Sequence, residues 1–284
     1  MKIYAVLLCL MSFSLNAKVM MISDIDDTIK RSHILGYMTG GVRTTNPFIG
    51  MPELYMAFQC HAEETKISKK FCLSKRGMVH SNKRWVSYVT GAVGRLQLFG
   101  REFISRSKFP TGTVAGRTAN LSTLNFKAKE ISEIISTQDF DFILIGDNGQ
   151  HDVAAYKKVT DRFSSKNIVT FIHQLYSVYE EDKAKRGVKL AKGQIAYLTA
   201  SDLALEFYAR GWIDYEDVLK VSKKVFSYIN SRDDDIYEKV IPSWTKCAAF
   251  VKSYKRPSVS IDSQLDDTLK RIEKRLNSLC RGRW

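Results

Sequence analysis

Beyond its first seventeen residues the sequence holds no apolar run long enough to cross a bilayer, which takes about 20 residues. It has no internal repeat and no low-complexity tract, and apolar residues make up 44% of it, so neither a repeat array nor disorder is the main state. No GxGxxG and no Gly-Lys-Ser/Thr surrounds the Gly91-x-x-Gly94 pair, so that pair is not a nucleotide loop. Acids are scarce beside bases, 30 against 44, and the net charge is +14. Such a surface attracts phosphates, anionic lipid or nucleic acid, and charge alone does not choose among them.

The N-terminus carries the signs of a targeting signal. Lys2 is the only charge before Lys18, Ile3 to Leu15 is almost unbroken apolar, and Ala17 can end a cleaved segment. Residues 1–17 are therefore read as a signal peptide, and the protein as exported, periplasmic or secreted. Export permits disulfides. The mature chain keeps Cys60, Cys72, Cys247 and Cys280, which allow three full pairings. Sequence does not fix the choice; Cys60–Cys72, which closes a short excursion, is the bridge expected. Cys60, His61, Cys72 and His80 fit no standard zinc spacing.

Short apolar runs alternate with helical patterns up to residue 175. Val19–Ser23, Trp85–Thr90, Thr113–Ala115, Phe140–Ile145 and Ile168–Phe171 read as buried strands; Phe99–Ile104, Phe126–Ile135 and Val153–Phe163 read as helices between them. This predicts an α/β fold, a Rossmann-like parallel sheet covered on both faces. The first two strands are separated by an unusually long interval, read as a cap or flap insertion over about 31–84. It holds the Gly36–Gly50 stretch, a helix near Pro52–Phe58 and the Cys60–Cys72 excursion. After 175 the pattern is helical: one helix capped by Thr199 or Ser201 and ended by Gly211, a second over Asp214–Ile229, a third opened by Pro242, and a last with Leu265, Leu269, Ile272, Leu276 and Leu279 on one face. The organisation expected is thus 18–175 as the catalytic domain and 176–284 as a helical C-terminal extension.

Two strands run straight into acids. Val19 to Ser23 leads into Asp24-Ile25-Asp26-Asp27-Thr28, and Phe142 to Ile145 leads into Gly146-Asp147-Asn148-Gly149-Gln150-His151-Asp152. Carboxylates brought together raise one another's pKa unless a cation neutralises them, and an oxygen-only set suits Mg2+. A calcium EF-hand loop is excluded, because its glycine position is Ile29.

Asp24-x-Asp26-x-Thr28, Thr90 at a strand end, Lys127 on a helix and Gly146-Asp147 with Asp152 resemble the four ordered motifs of haloacid-dehalogenase-like phosphatases. Ser23 to Lys30, Gly50-Met51-Pro52-Glu53-Leu54-Tyr55, Phe109-Pro110-Thr111-Gly112 and Gly146 to Asp152 are similar to the catalytic domain of the actin-patch-type phosphatidate phosphatases. The second motif departs from that family: Val89-Thr90-Gly91-Ala92 keeps a hydroxyl but has no Pro-Trp pair, and Asn148 stands where a serine is usual. The resemblance implies Asp24 as nucleophile, Asp26 as acid and base, Thr90 as a phosphoryl hydrogen-bond donor and Lys127 as charge stabiliser. It also implies Mg2+ on Asp24, the backbone carbonyl of Asp26, Asp147 and Asp152.

His33, His151 and His173 are weaker candidates; His151 lies within the fourth motif. The substrate class implied is a phosphorylated one, phosphatidate or a related phospholipid, with soluble phosphomonoesters such as nucleotides or sugar phosphates as the alternative. A non-catalytic basic protein binding envelope polyanions is disfavoured by the intact acidic set, and no nucleic acid is expected. Lys66, Lys69, Lys70, Lys75, Arg76, Lys83 and Arg84 cluster with no acid from Thr65 to Arg84, a face suited to a peripheral anionic membrane. Each such cation near an anionic surface contributes roughly 1 kcal/mol. Neutralising Lys69, Lys70, Lys75 and Arg76 together should therefore weaken binding to anionic vesicles and lower phosphatidate turnover, with p-nitrophenyl phosphate turnover little changed. Equal losses on both substrates would tie the cluster to the fold instead.

Overall fold

A computed structural model of the protein describes residues 18–37, 41–61, 72, 85–118 and 120–284. Its centre is a sheet of six parallel strands in the order β3-β2-β1-β4-β5-β6. These are β1 (Val19–Ser23), β2 (Val86–Val93), β3 (Thr113–Arg117), β4 (Asp141–Asp147), β5 (Ile168–His173) and β6 (Ile195–Tyr197). The order reverses direction at β1, which pairs with β2 on one side and β4 on the other. In open α/β sheets the crevice at the carboxyl ends of such strands is where ligands bind.

The alternation of side chains along each strand sorts the core into two layers. Met20 and Ile22 of β1 and Phe142 and Leu144 of β4 face helices α4 (Thr123–Ser136) and α5 (Asp152–Arg162), meeting Phe126, Ile131, Ile135, Val153, Tyr156 and Val159. Met21, Ile143, Ile145 and Phe171 face the other way. There they join residues of α2 (Met51–His61), α3 (Leu96–Arg106), α6 (Ala200–Ala209), α7 (Tyr215–Ile229) and α10 (Ser263–Leu279) in one continuous cluster. Short helices α1 (Ile34–Tyr37), α8 (Asp234–Tyr237) and α9 (Ala248–Ser253) and a 3-10 turn at Gly41–Arg43 complete the described elements.

The α/β expectation holds, and the sequence-read strands all form. Two details differ. The C-terminal region is not purely helical: Ile195, Ala196 and Tyr197 pair with Phe171, Ile172 and His173 and extend the sheet. Three residues at a sheet edge make too short an apolar run for periodicity to register. Pro242 also opens no helix. Thr245 closes a turn on the carbonyl of Pro242, the amide of Lys246 bonds the carbonyl of Leu175 at 2.7 Å, and helix α9 starts only at Ala248. That bond to the loop after β5 holds Trp244 and Cys247 in irregular backbone.

Local signals set the ends of the other helices. Thr199 caps α6 with its side chain and receives Asp202 in return, a capping box. Gly211, at φ 72°, turns the chain after α6. Gly50 precedes α2 at φ 89°, and a Cβ there would lie 2.8 Å from that of Ala200. Glycine therefore lets α2 approach α6.

Two disulfides form, Cys60–Cys72 and Cys247–Cys280. The first is the bridge expected from sequence; the second staples the start of α9 to the end of α10. The basic cluster from Lys66 to Arg84 lies outside the described residues. No helix among the described residues is long and apolar enough to cross a membrane.

Cys247–Cys280 closes a span of 33 residues, worth roughly 4 kcal/mol in the chain-entropy description. Replacing both cysteines by serine should lower the urea midpoint accordingly. An unchanged midpoint would show that α9 and α10 are held by packing alone.

Candidate active site

Asp24 stands one residue past β1, and its amide donates to the carbonyl of Ile145 at 2.8 Å, carrying the β1–β4 ladder one step further. This fixes the carboxylate at the switch point, beside Asp147 at the end of β4. Asp152 opens α5 and turns back beneath the strand, its Oδ2 accepting the amide of Asp147 at 3.2 Å. A Cβ on residue 146 would lie 2.6 Å from the Cβ of Asp152. Gly146 is thus required for this return, which explains a glycine at the end of an otherwise branched strand.

Asp24, Asp147 and Asp152 are buried and can each offer an oxygen within 4.8 Å of the others. Lys127, buried on α4, places its ammonium 2.8 Å from Asp24 Oδ1 and against Asp152 Oδ1. Three carboxylates then face one ammonium. Burial pushes Asp24 up to about 8, with Lys127 opposing and Asp152 and Asp26 adding to the rise. Asp147 is raised well above the carboxylate range, first by burial and then by Asp152. Burial works against the charge of Lys127, but Asp152, Asp24 and Asp147 hold it above its ordinary value. A divalent cation among these oxygens would remove the imbalance and keep all three ionised. The donor set, all carboxylate oxygen, fits a hard cation.

Asp26 faces a different environment. Its Oδ1 takes the buried Lys30 ammonium at 2.7 Å and the Ser32 hydroxyl at 2.6 Å, and the Thr90 hydroxyl lies 3.5 Å from Oδ2. Its carboxylate is outside the group of three. Thr28 directs its hydroxyl toward Asp24 Oδ2 at 3.4 Å. The chain thus brings Asp24, Lys127, Asp147 and Asp152 into one cluster, with Asp26 and Thr90 next to each other beside it.

Sequence reasoning did not single out Lys30, Ser32, Asp27 or Tyr176, and it marked Asn148 only as a departure from the usual serine. Lys30 carried a signal, an opposite charge four residues from Asp26; the others depend on how loops meet. Of the three histidines, His151 precedes α5, its pKa lowered by burial and by Lys127. His173 is buried, with its ring nitrogens 3.0 and 2.9 Å from the carbonyl oxygens of Asp27 and Leu198, and is pushed down to about 4 by burial. His33 stacks on Trp244 with ring centroids 4.3 Å apart.

Gly146→Ala should displace Asp152 and weaken Mn2+ binding, read by electron paramagnetic resonance, by about tenfold or more. Unchanged affinity would remove Asp152 from the metal group.

No curated protein matches the chain. Among solved structures, UDP-GlcNAc 2-epimerase from Methanocaldococcus jannaschii superimposes with a TM-score of 0.33 and 11% identity, over 89% of this chain and 68% of that one. So loose a likeness carries no argument. The acidic strand ends do find their counterpart in a family model, that of the phosphatidate phosphatase APP1 catalytic domain, which matches residues 19–174. Since that match spans more than half of the chain and every strand from β1 to β5, the protein belongs to this family of phosphatidate phosphatase-like phosphoric monoester hydrolases.

Proposed function

We propose that the protein is an exported, Mg2+-dependent phosphatase that transfers the phosphoryl group of phosphatidate, or of a related phospholipid, to Asp24 and then to water. The observation that carries this reading is the placement of Asp24 at the switch point, with one carboxylate oxygen on Lys127 and the other toward Thr28.

An Asp24 oxygen attacks phosphorus while the ester P–O bond breaks, and Asp26 gives the departing oxygen a proton. Water then attacks phosphorus, Asp26 takes a proton from it, and Asp24 leaves as carboxylate with inorganic phosphate released. Lys127 favours the ionised form of Asp24 for the first step and balances charge on the phosphoryl oxygens. Thr90, beside Asp26, donates its hydroxyl to a phosphoryl oxygen. Magnesium held by Asp24, Asp147, Asp152 and the Asp26 carbonyl would supply positive charge against those oxygens. Export is supported by the apolar N-terminal run and by two disulfides, which persist in oxidising compartments.

The departure at the second motif, where Gly91-Ala92 replaces Pro-Trp, favours soluble phosphomonoesters as the second reading. Phosphate release from phosphatidate and from soluble esters, measured in parallel, separates the two. Turnover should need Mg2+ and cease with EDTA. Asp24→Asn should keep the fold and lose turnover by about 10^4-fold or more. Full activity in purified Asp24→Asn would overturn the covalent mechanism, and better turnover of soluble esters would replace the lipid.

A further inference from the structure

Asp27 is as buried as the metal group yet stands outside it. Its backbone is left-handed, at φ 58°, a conformation that costs a residue with a Cβ and persists only where its surroundings over-determine it. Four donors do so. The amides of Ser32 and His33 reach Oδ1 at 3.0 and 2.6 Å; the amide of Ile34 and the Tyr176 hydroxyl reach Oδ2 at 2.7 and 2.5 Å. The loop from Thr28 to Ile34 is therefore folded back on the Asp27 carboxylate. That folding delivers the Lys30 ammonium and the Ser32 hydroxyl to Asp26.

Tyr176 lies two residues beyond the segment that the family model matches, which ends at 174. It is not free to drift. Asn148 accepts the amides of Leu175 and Tyr176 on Oδ1, both at 2.9 Å, and donates Nδ2 to the Tyr176 carbonyl at 2.7 Å. Asn148 follows Asp147 directly. Trp244, from the C-terminal region, stacks on Tyr176 at 5.5 Å and on His33 at 4.3 Å. One run of bonds thus joins the strand end that carries Asp147 to the loop that holds Asp26.

We propose that Tyr176 and Asp27 form a positioning clasp, built across the boundary between the matched segment and the C-terminal region, that aims the Asp26 carboxylate at the leaving-group oxygen. Neither residue touches the reacting atoms; they act through Ser32 and Lys30. The inference rests on the reading of Asp26 as the group that protonates the leaving oxygen.

A misaimed acid harms a substrate in proportion to how much its leaving group needs a proton. The test compares kcat/KM for p-nitrophenyl phosphate, whose leaving group needs little help, with phenyl phosphate, whose leaving group needs more, on the full chain with Mg2+. Asp26→Asn serves as the reference. Tyr176→Phe removes only the hydroxyl, and Ser32→Ala removes only the bond to Asp26. Both variants should lose about tenfold more activity on phenyl phosphate than on p-nitrophenyl phosphate, part of the 10^2–10^4-fold that a positioned acid supplies. A partly unfolded variant would lose both activities equally and leave the ratio unchanged. If Asp26→Asn shifts the ratio and neither Tyr176→Phe nor Ser32→Ala does, the clasp is overturned while the role of Asp26 stands. If Asp26→Asn itself leaves the ratio unchanged, the acid–base reading fails and the clasp fails with it.

Discussion

Lys127 holds one ammonium against the carboxylates of Asp24 and Asp152, with Asp147 beside them and all four buried. Burying an unpaired ion costs several kcal/mol even after the protein relaxes, and burial accordingly raises the pKa of Asp24 and Asp147 beside their single lysine. Three buried carboxylates around one lysine form a group that could hold a divalent cation. A cation that bound only the folded site would stabilise the fold.

The rest of the architecture serves to hold that cluster where a relaxed chain would not leave it. The parallel sheet places two acidic strand ends side by side, and apolar layers on both faces fix the strands that carry them. Gly146 gives Asp152 room to turn back. The helices after residue 175 share one continuous cluster with Met21, Ile143 and Ile145 of the central strands. Their packing is therefore felt at the site, and Cys247–Cys280 ties two of their segments together close to Trp244.

Most of the sheet and the carboxylate cluster were legible in the sequence because each has a local signature. A buried parallel strand is an unbroken apolar run, and an acid directly after it has only one edge of the sheet to occupy. Asp24 and Asp147 could be placed together on that ground, and Asp152 through the resemblance of the fourth motif. Strand β6 escaped because three residues carry no period, and Pro242 misled because proline opens turns as readily as helices. Asp27 and Tyr176 were illegible for a deeper reason. Their partners lie up to 149 positions away, and such contacts follow from how the loops are laid over the sheet rather than from any neighbouring residue.

This difference between legible and illegible residues is also one of physical role. The carboxylates that handle charge must sit at the switch point, so strand and motif announce them. The residues that aim them can come from anywhere the fold passes nearby, and here they come from the loop after β1 and from the loop after β5. Asn148 shows how the two sets are joined. It occupies the position beside Asp147 where the family usually has serine, and its amide side chain, unlike a hydroxyl, can bind both the amides and the carbonyl of the Leu175–Tyr176 segment at once. A serine there could not make all three bonds. The change from serine is therefore better understood together with the C-terminal region it anchors than as a loss from the motif.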